Sequence, residues 1–286
     1  MNGATALINT LADCGVEFCI ANPGTSEMHL VQALDAVPRV KSVLALFEGV
    51  CTGAADGIGR MTGKPAATLL HLGPGMANGI ANLHNARRAN SPMINIVGNH
   101  PNFHVGHDAP LTSDIDTLAC NFSCWIKSEC TADSLAQDGA DAYTATLRQS
   151  TGSTGQIATL IMGADAAWGE CDGPAIPNAL PQRSKVNESA VESVASVIEK
   201  NGSTTAILLE HHGSEQASMI AASKITTKYG CRMYNGTFPA RVDGGPGRVK
   251  IDRLPYFPEH VFATLDGVNN LCSLNFLIIL YFSYLV

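Results

Sequence analysis

The sequence predicts an α/β protein: a doubly wound parallel sheet followed by an incomplete second α/β domain. Short apolar runs recur at Phe18-Cys19-Ile20, Val43 to Leu46, Ala67 to Leu70, Ile94 to Val97 and Ile157 to Met162. Longer segments with helical spacing separate them, and the runs end in turn chemistry. Unbroken apolar strands alternating with helices imply a parallel sheet covered on both faces.

Taken in order, the first run leads into Asn22-Pro23-Gly24, and a helix follows on Leu30, Leu34 and Val37. The buried strand Val43 to Leu46 leads into Phe47-Glu48-Gly49 and a helix rich in small residues. The third strand ends at His71 and the loop Gly73-Pro74-Gly75, ahead of a helix on Ile80, Leu83 and Ala86. The fourth ends at Gly98-Asn99-His100. Ligands of open α/β sheets bind beyond the carboxyl ends of the strands, so these four loops are the expected crevice. Residues 1–170 form this domain and 171–187 a linker, whose Pro174, Pro177 and Pro181 cannot sit inside a helix or central strand. In 188–270 the alternation restarts: helix Glu188 to Lys200, strand Thr205 to Leu209, helix Glu215 to Tyr229, strand Cys231 to Tyr234. A Gly/Pro-rich loop, Phe238 to Pro258, and a short helix, Glu259 to Leu265, complete it. Two clear strands are too few for a complete sheet. The uncharged run 271–286 is short of the roughly 20 residues a membrane span needs. It reads as an aberrant end whose first residues could add a strand.

Composition narrows the function. At about 150 residues per domain, 286 residues make roughly two units. Charged residues are 15% against a usual ~25%, and the net charge is −7 without a Lys/Arg cluster, which excludes a nucleic-acid surface. No basic residue precedes Arg39 and no C-x-x-C pair occurs among nine scattered cysteines, which read as small buried hydrophobes. A cytoplasmic protein with no membrane partner is expected.

Nucleotide motifs fail on spacing. Gly73-x-Gly75-x-x-x-Gly79 misses the dinucleotide fingerprint by one residue, and in Gly59 to Lys64-Pro65 a proline stands where a P-loop needs Ser/Thr. His100, His104, His107 and Asp108 form a ligand-rich segment, but Pro101 and Gly106 deny it the helical facing that aligns two imidazoles. A solvated loop is the better reading, and no metal ligands are assigned. Glu48 is the sharpest candidate. A glutamate at a helix start is ordinarily macrodipole chemistry worth about 0.3–1 kcal/mol. Here, however, the helix carries Gly49, Gly53, Gly57 and Gly59, each costing roughly 1 kcal/mol relative to alanine, so something should approach its backbone closely. Leu46 and Phe47 should also desolvate the carboxyl group and tune it for proton transfer. His71 should face the same crevice. Asn22, Thr25, Ser26 and Glu27 suit loop, cap and first-turn roles.

At these residues the sequence resembles a known family. Asn22-Pro23-Gly24-Thr25-Ser26-Glu27, Phe47-Glu48-Gly49 with Ala54-Ala55-Asp56-Gly57 and Arg60 to Pro65, and His71-Leu72-Gly73-Pro74-Gly75 with Asn78-Gly79, Asn82-Leu83 and Ser91-Pro92 are similar to the pyrimidine-binding domain of thiamine-diphosphate enzymes. The nearest subgroup is that of acetolactate synthase large-subunit and benzoylformate-decarboxylase-like proteins. Thr237 to Arg241 and Arg253 to Glu259 resemble their central domain. The resemblance implies that Glu48 hydrogen-bonds the aminopyrimidine ring and promotes the imino tautomer that deprotonates the thiazolium carbon, for chemistry on a 2-oxo acid. It implies acid/base work for His71, cofactor contacts for Pro23, Gly24, Gly73, Pro74 and Asn78, and a substrate-pocket place for Thr25 and Ser26. Family members hold Mg²⁺ and the diphosphate with a Gly-Asp-Gly motif in a third domain, and no such motif stands here. The expectation is therefore a decarboxylase or carboligase homologue that binds the pyrimidine half of thiamine diphosphate, lacks magnesium ligands and is inactive alone. It would act as a homodimer or beside a full-length paralogue. The alternative is a non-catalytic dimerising or regulatory module of the same descent.

Overall fold

The computed structural model describes residues 1–148, 156–182 and 185–274. The chain divides into two compact units between Gln182 and Arg183. The first opens with α1 (Gly3–Cys14), β1 (Phe18–Asn22), α2 (Met28–Ala36), β2 (Lys41–Leu44), α3 (Glu48–Thr62), β3 (Ala66–Leu70), α4 (Leu72–Ala89) and β4 (Met93–Asn99). It continues with α5 (Ile115–Cys120), β5 (Trp125–Lys127), α6 (Ala132–Thr146), β6 (Ile157–Gly163) and α7 (Ala164–Trp168). Among the described residues the strands form one sheet in the order β2-β1-β3-β4-β6-β5, and every pairing is parallel.

Each face of this sheet carries its own core. Leu7, Leu11, Leu30, Leu34 and Leu135 bring α1, α2 and α6 onto one side. Cys51, Ala55, Met76, Leu83 and Ile115 bring α3, α4 and α5 onto the other. Both faces of β3, β4 and β6 are thus covered, and all residues of β3 and β6 are buried, as their unbroken apolar runs require. Helix ends follow local chemistry. Asn2 caps α1 by accepting from the Thr5 amide, and Gly15 ends it in the left-handed region at φ 102°. Gly63 ends α3 in the same way at φ 69°.

Several expectations are corrected. The strand predicted as buried at Val43 to Leu46 is β2, an edge strand with all four residues exposed; of the predicted run only Ala45 is buried. Having one neighbour, it shows one long side to solvent, which apolar composition alone does not reveal. Gly73-Pro74-Gly75 is the first turn of α4, because Pro is compatible with the first turn of a helix. Residues 171–182, read as part of a linker, are bonded to the first unit: the Ala175 amide donates to Thr10 Oγ1 at 2.9 Å. Cys120 and Cys124 are exposed, so burial does not explain them, and all nine thiols are free.

The second unit contains α8 (Glu188–Asn201), β7 (Thr205–Leu209), α9 (Gln216–Tyr229), β8 (Arg232–Asn235), β9 (Asp252–Arg253), α10 (Pro258–Thr264) and β10 (Asn270–Leu274). Its parallel sheet runs β10-β7-β8-β9, four strands where two clear ones were expected and a third was allowed for at the start of the uncharged run. The additional strands are the pair Asp252–Arg253, inside the predicted Gly/Pro-rich loop, and Asn270–Leu274, where the uncharged run begins and pairs with β7. The rest of that run, 275–286, lies outside the described residues. No helix among the described residues is long and apolar enough to cross a membrane.

Candidate functional site

Parallel register brings the carboxyl ends of β1, β3 and β4 to one edge: Asn22 pairs with Leu70, and Leu70 with Val97. The chain leaves β1 through Pro23 and Gly24 into a 3-10 turn, Thr25–Glu27, with Thr25 exposed. It leaves β3 through His71 straight into α4, and Leu72 takes φ 50° there. A leucine in the left-handed region is uncommon and marks a position held by its surroundings.

Glu48 is the first residue of α3 and is 9% exposed. Asn78, one turn into α4, donates to its Oε2 at 3.0 Å. Its Oε1 faces Gly75, where an added Cβ would stand 3.1 Å away, and accepts no hydrogen bond among the described residues. The expected desolvation by Leu46 and Phe47 does not occur, since Leu46 is 92% exposed and Phe47 half-exposed. The first turns of α4 cover the carboxylate instead. Helices α3 and α4 are tied at two further points. Thr52 Oγ1 donates to the Gly79 carbonyl at 3.0 Å, and Asn82 Nδ2 to the Gly49 carbonyl at 2.7 Å. Along their outer side runs an open depression of about 450 Å³, lined by Phe47, Val50, Ala54, Asn78, Ala81 and Asn82 among others. Beside it Leu44, Leu46, Phe47 and Val50 are exposed.

His71 immediately precedes α4, and its carbonyl accepts from the Gly75 amide at 2.8 Å. Its Nδ1 is 2.7 Å from Glu27 Oε2, and the imidazole lies against Gly24, where any Cβ would collide with the ring. Burial pushes the Glu27 carboxyl up, opposed by its hydrogen bonds from the Gly24 amide and His71. The sequence reading assigned Glu27 only a first-turn role. The Gly24-x-x-Glu27 spacing signals its backbone bond, but nothing local signals His71, 44 residues away. Thr52 was likewise missed, and Asn82 stood only in the family-like string with no role, because their contacts cross between helices. Gly73 sits in the first turn of α4 against Ser113, and Pro74 beside it is exposed.

The histidine-rich segment folds as a short 3-10 turn at Val105–His107. Its rings approach one another, with His104 centroids 5.7 Å from His100 and 5.3 Å from His107. No group of three His, Cys, Asp or Glu side chains among the described residues is arranged to hold a metal. The Asp56-Arg60 part of the family-like string is structural. Arg60 Nε and one terminal nitrogen each reach an Asp56 oxygen at 2.8 Å, and Ser91 Oγ donates to the same carboxylate.

Comparison with known proteins agrees with this architecture. Residues 1–119 match the family described as thiamine pyrophosphate enzyme, N-terminal TPP binding domain. IlvX of Mycobacterium tuberculosis, which carries the name of an acetolactate synthase large subunit, is 48% identical over 271 residues, covering 95% of this chain and 51% of that protein. The acetolactate synthase large subunit of Buchnera aphidicola is 31% identical over 109 residues, 38% of this chain and 19% of the relative. Two solved structures share the fold. An X-ray structure from Mycobacterium smegmatis, described as a thiamin diphosphate-dependent enzyme, superposes with TM-score 0.84 at 21% identity over 96% of this chain and 52% of its own. The 4-hydroxybenzoylformate decarboxylase of Rhodococcus jostii RHA1, itself thiamine diphosphate-dependent, gives TM-score 0.83 at 17% identity, over 96% of this chain and 51% of its own. The chain spans about half the length of IlvX and of both structures.

Proposed function

We infer, for a chain whose residues 1–119 belong to the thiamine pyrophosphate enzyme N-terminal domains, that its crevice takes the aminopyrimidine half of thiamine diphosphate in 2-oxo acid chemistry. The observation that carries this is Glu48: a carboxylate largely withdrawn from water, one oxygen held by Asn78 and the other, beside Gly75, without a hydrogen-bond partner among the described residues. A flat heteroaromatic ring with a protonatable nitrogen suits that oxygen, and the open depression beside Asn78, along α3 and α4, leaves room for one. When bound, the cofactor supplies a carbon nucleophile and an electron sink for 2-oxo acids.

Glu48 would hold a proton at the ring nitrogen, and Asn78 would keep its carboxylate oriented. Pro23, Gly24, Gly73 and Pro74 would line the cofactor side and let the ring come close to backbone. His71 would exchange protons with the substrate, and Thr25 and Ser26 would face a 2-oxo acid. Glu48, Asn78 and His71 by themselves offer too few hard oxygen ligands for Mg²⁺, which needs several in near-octahedral array. The magnesium and diphosphate end would therefore be held by residues other than these. The exposed apolar strip Leu44, Leu46, Phe47 and Val50 suits a second copy or a full-length paralogue, and a non-catalytic dimerising module is the competing reading.

Saturation-transfer NMR of thiamine diphosphate with the purified chain tests the reading. Saturation should reach the pyrimidine methyl and ring proton in preference to the thiazolium methyl, and Glu48→Ala should abolish it. Even saturation of both rings, or transfer unaffected by Glu48→Ala, refutes it. The isolated chain should not turn over pyruvate or benzoylformate with Mg²⁺, and turnover would overturn the assignment of a half-site.

A further inference from the structure

We propose that Glu27 is a positioning residue for His71, holding the imidazole through Nδ1 so that Nε2 is the atom that exchanges protons with whatever occupies the crevice. This rests on the reading of the crevice given above. Glu27 is 0% exposed, at the carboxyl edge of β1. Its Oε2 lies 2.7 Å from both the Gly24 amide nitrogen and His71 Nδ1. An oxygen approached this closely by two nitrogens, one of them a backbone N–H that can only donate, acts as a charge-assisted acceptor. That places the Nδ1 proton on the ring side of the contact. Oε1 has no hydrogen-bond partner among the described residues, and it occupies space that Gly98 leaves open: a Cβ on Gly98 would collide with it.

A cap does not need this arrangement. A glutamate that serves only the Gly24 amide does so equally well in water, without burying a carboxylate whose second oxygen goes unpaired. Both the burial and the Gly98 vacancy serve the bond to His71. On another side the imidazole lies against Gly24, where any Cβ would collide with it. The ring is about a quarter exposed, with Nε2 making no hydrogen bond among the described residues. A proton taken at Nε2 leaves an imidazolium whose Nδ1–H already meets the carboxylate. A proton given up from Nε2 restores the same bonded tautomer, and the ring does not need to turn over between the two steps.

Nitrogen-15 long-range correlation spectra of the cofactor-free chain test this, with the His71 ring assigned by its loss in His71→Phe. At alkaline pH, where imidazoles are neutral, the Nδ1–H form should predominate about tenfold or more, as a hydrogen bond to a charged group requires. Glu27→Leu should reverse the preference towards Nε2–H. A wild-type ring in the Nε2–H form overturns the proposal whether or not the variant folds, as does an unchanged ratio in a folded variant. Because no cofactor is needed, a fixed tautomer with failed thiamine diphosphate binding would refute the reading of the crevice and leave the positioning role standing.

Discussion

Two of the four glycines of helix α3, Gly57 and Gly59, stand two residues apart in opposite surroundings, and alanine should act on them with different sign. A Cβ at Gly57 meets nothing within 4 Å, and the residue is exposed. A Cβ at Gly59 would stand 2.8 Å from the Pro92 carbonyl oxygen and 3.2 Å from Pro92 Cδ, and the residue is buried. In both, alanine recovers about 1 kcal/mol of helix propensity. At Gly57 that gain stands alone, so Gly57→Ala should be about 1 kcal/mol more stable, a Tm rise of roughly 2–4 °C for a unit of this size. At Gly59 the obstacle is backbone and a rigid ring, neither of which can swing aside, and overpacking costs about 1–3 kcal/mol. Gly59→Ala should therefore lie between unchanged and about 2 kcal/mol less stable. The gap between the variants, about 1–3 kcal/mol, is the overpacking cost itself and does not depend on the propensity scale used. Urea unfolding followed by tryptophan fluorescence reads it directly, since Trp125 and Trp168 are the only tryptophans and both lie in the first unit. Equal stabilisation by both substitutions would refute the claim that close approach keeps position 59 a glycine.

Glu27 sets a pH dependence. Burial raises its carboxyl above the usual range, so the folded protein binds that proton more tightly than the unfolded chain. Its contribution favours folding at low pH and is lost as pH rises from the ordinary carboxylate range through the folded value. The stability of wild type relative to Glu27→Gln, from urea titrations at a series of pH values, should fall as pH rises; a flat or rising difference contradicts it. At the start of α6, Thr131 Oγ1 accepts from the Ser134 amide at 3.2 Å while Ser134 Oγ accepts from the Thr131 amide at 3.1 Å. Thr131→Ala should cost about 1 kcal/mol and Thr131→Gly only a few tenths, in the same unfolding assay. Equal losses would show that the side-chain cap is not what holds that helix start.

The sequence by itself determined what depends on neighbours along the chain. The alternation of apolar runs and helical spacing is local, and it was enough for a parallel sheet with helices on both faces. Glu48 opening a helix, and small residues where backbones come close, were equally legible. So was the family resemblance, because it is carried by contiguous strings, and residues 1–119 match the family's model. Tertiary structure decided everything that depends on which segments become neighbours. Strand order made β2 an edge and exposed a run that looked buried. Strand β5 has three half-buried residues and shows no apolar run, and β9 is two residues inside a loop, so both become strands only by pairing with β6 and β8. Glu48 is sheltered by Gly75 and Asn78 of the next helix and not by the apolar residues beside it in sequence. Glu27 and His71 meet only because β1 and β3 are adjacent in register, so that 44 residues of chain return to within 2.7 Å. A hydrogen bond or a close packing contact acts over a few ångströms of space, and a sequence records separation along the chain.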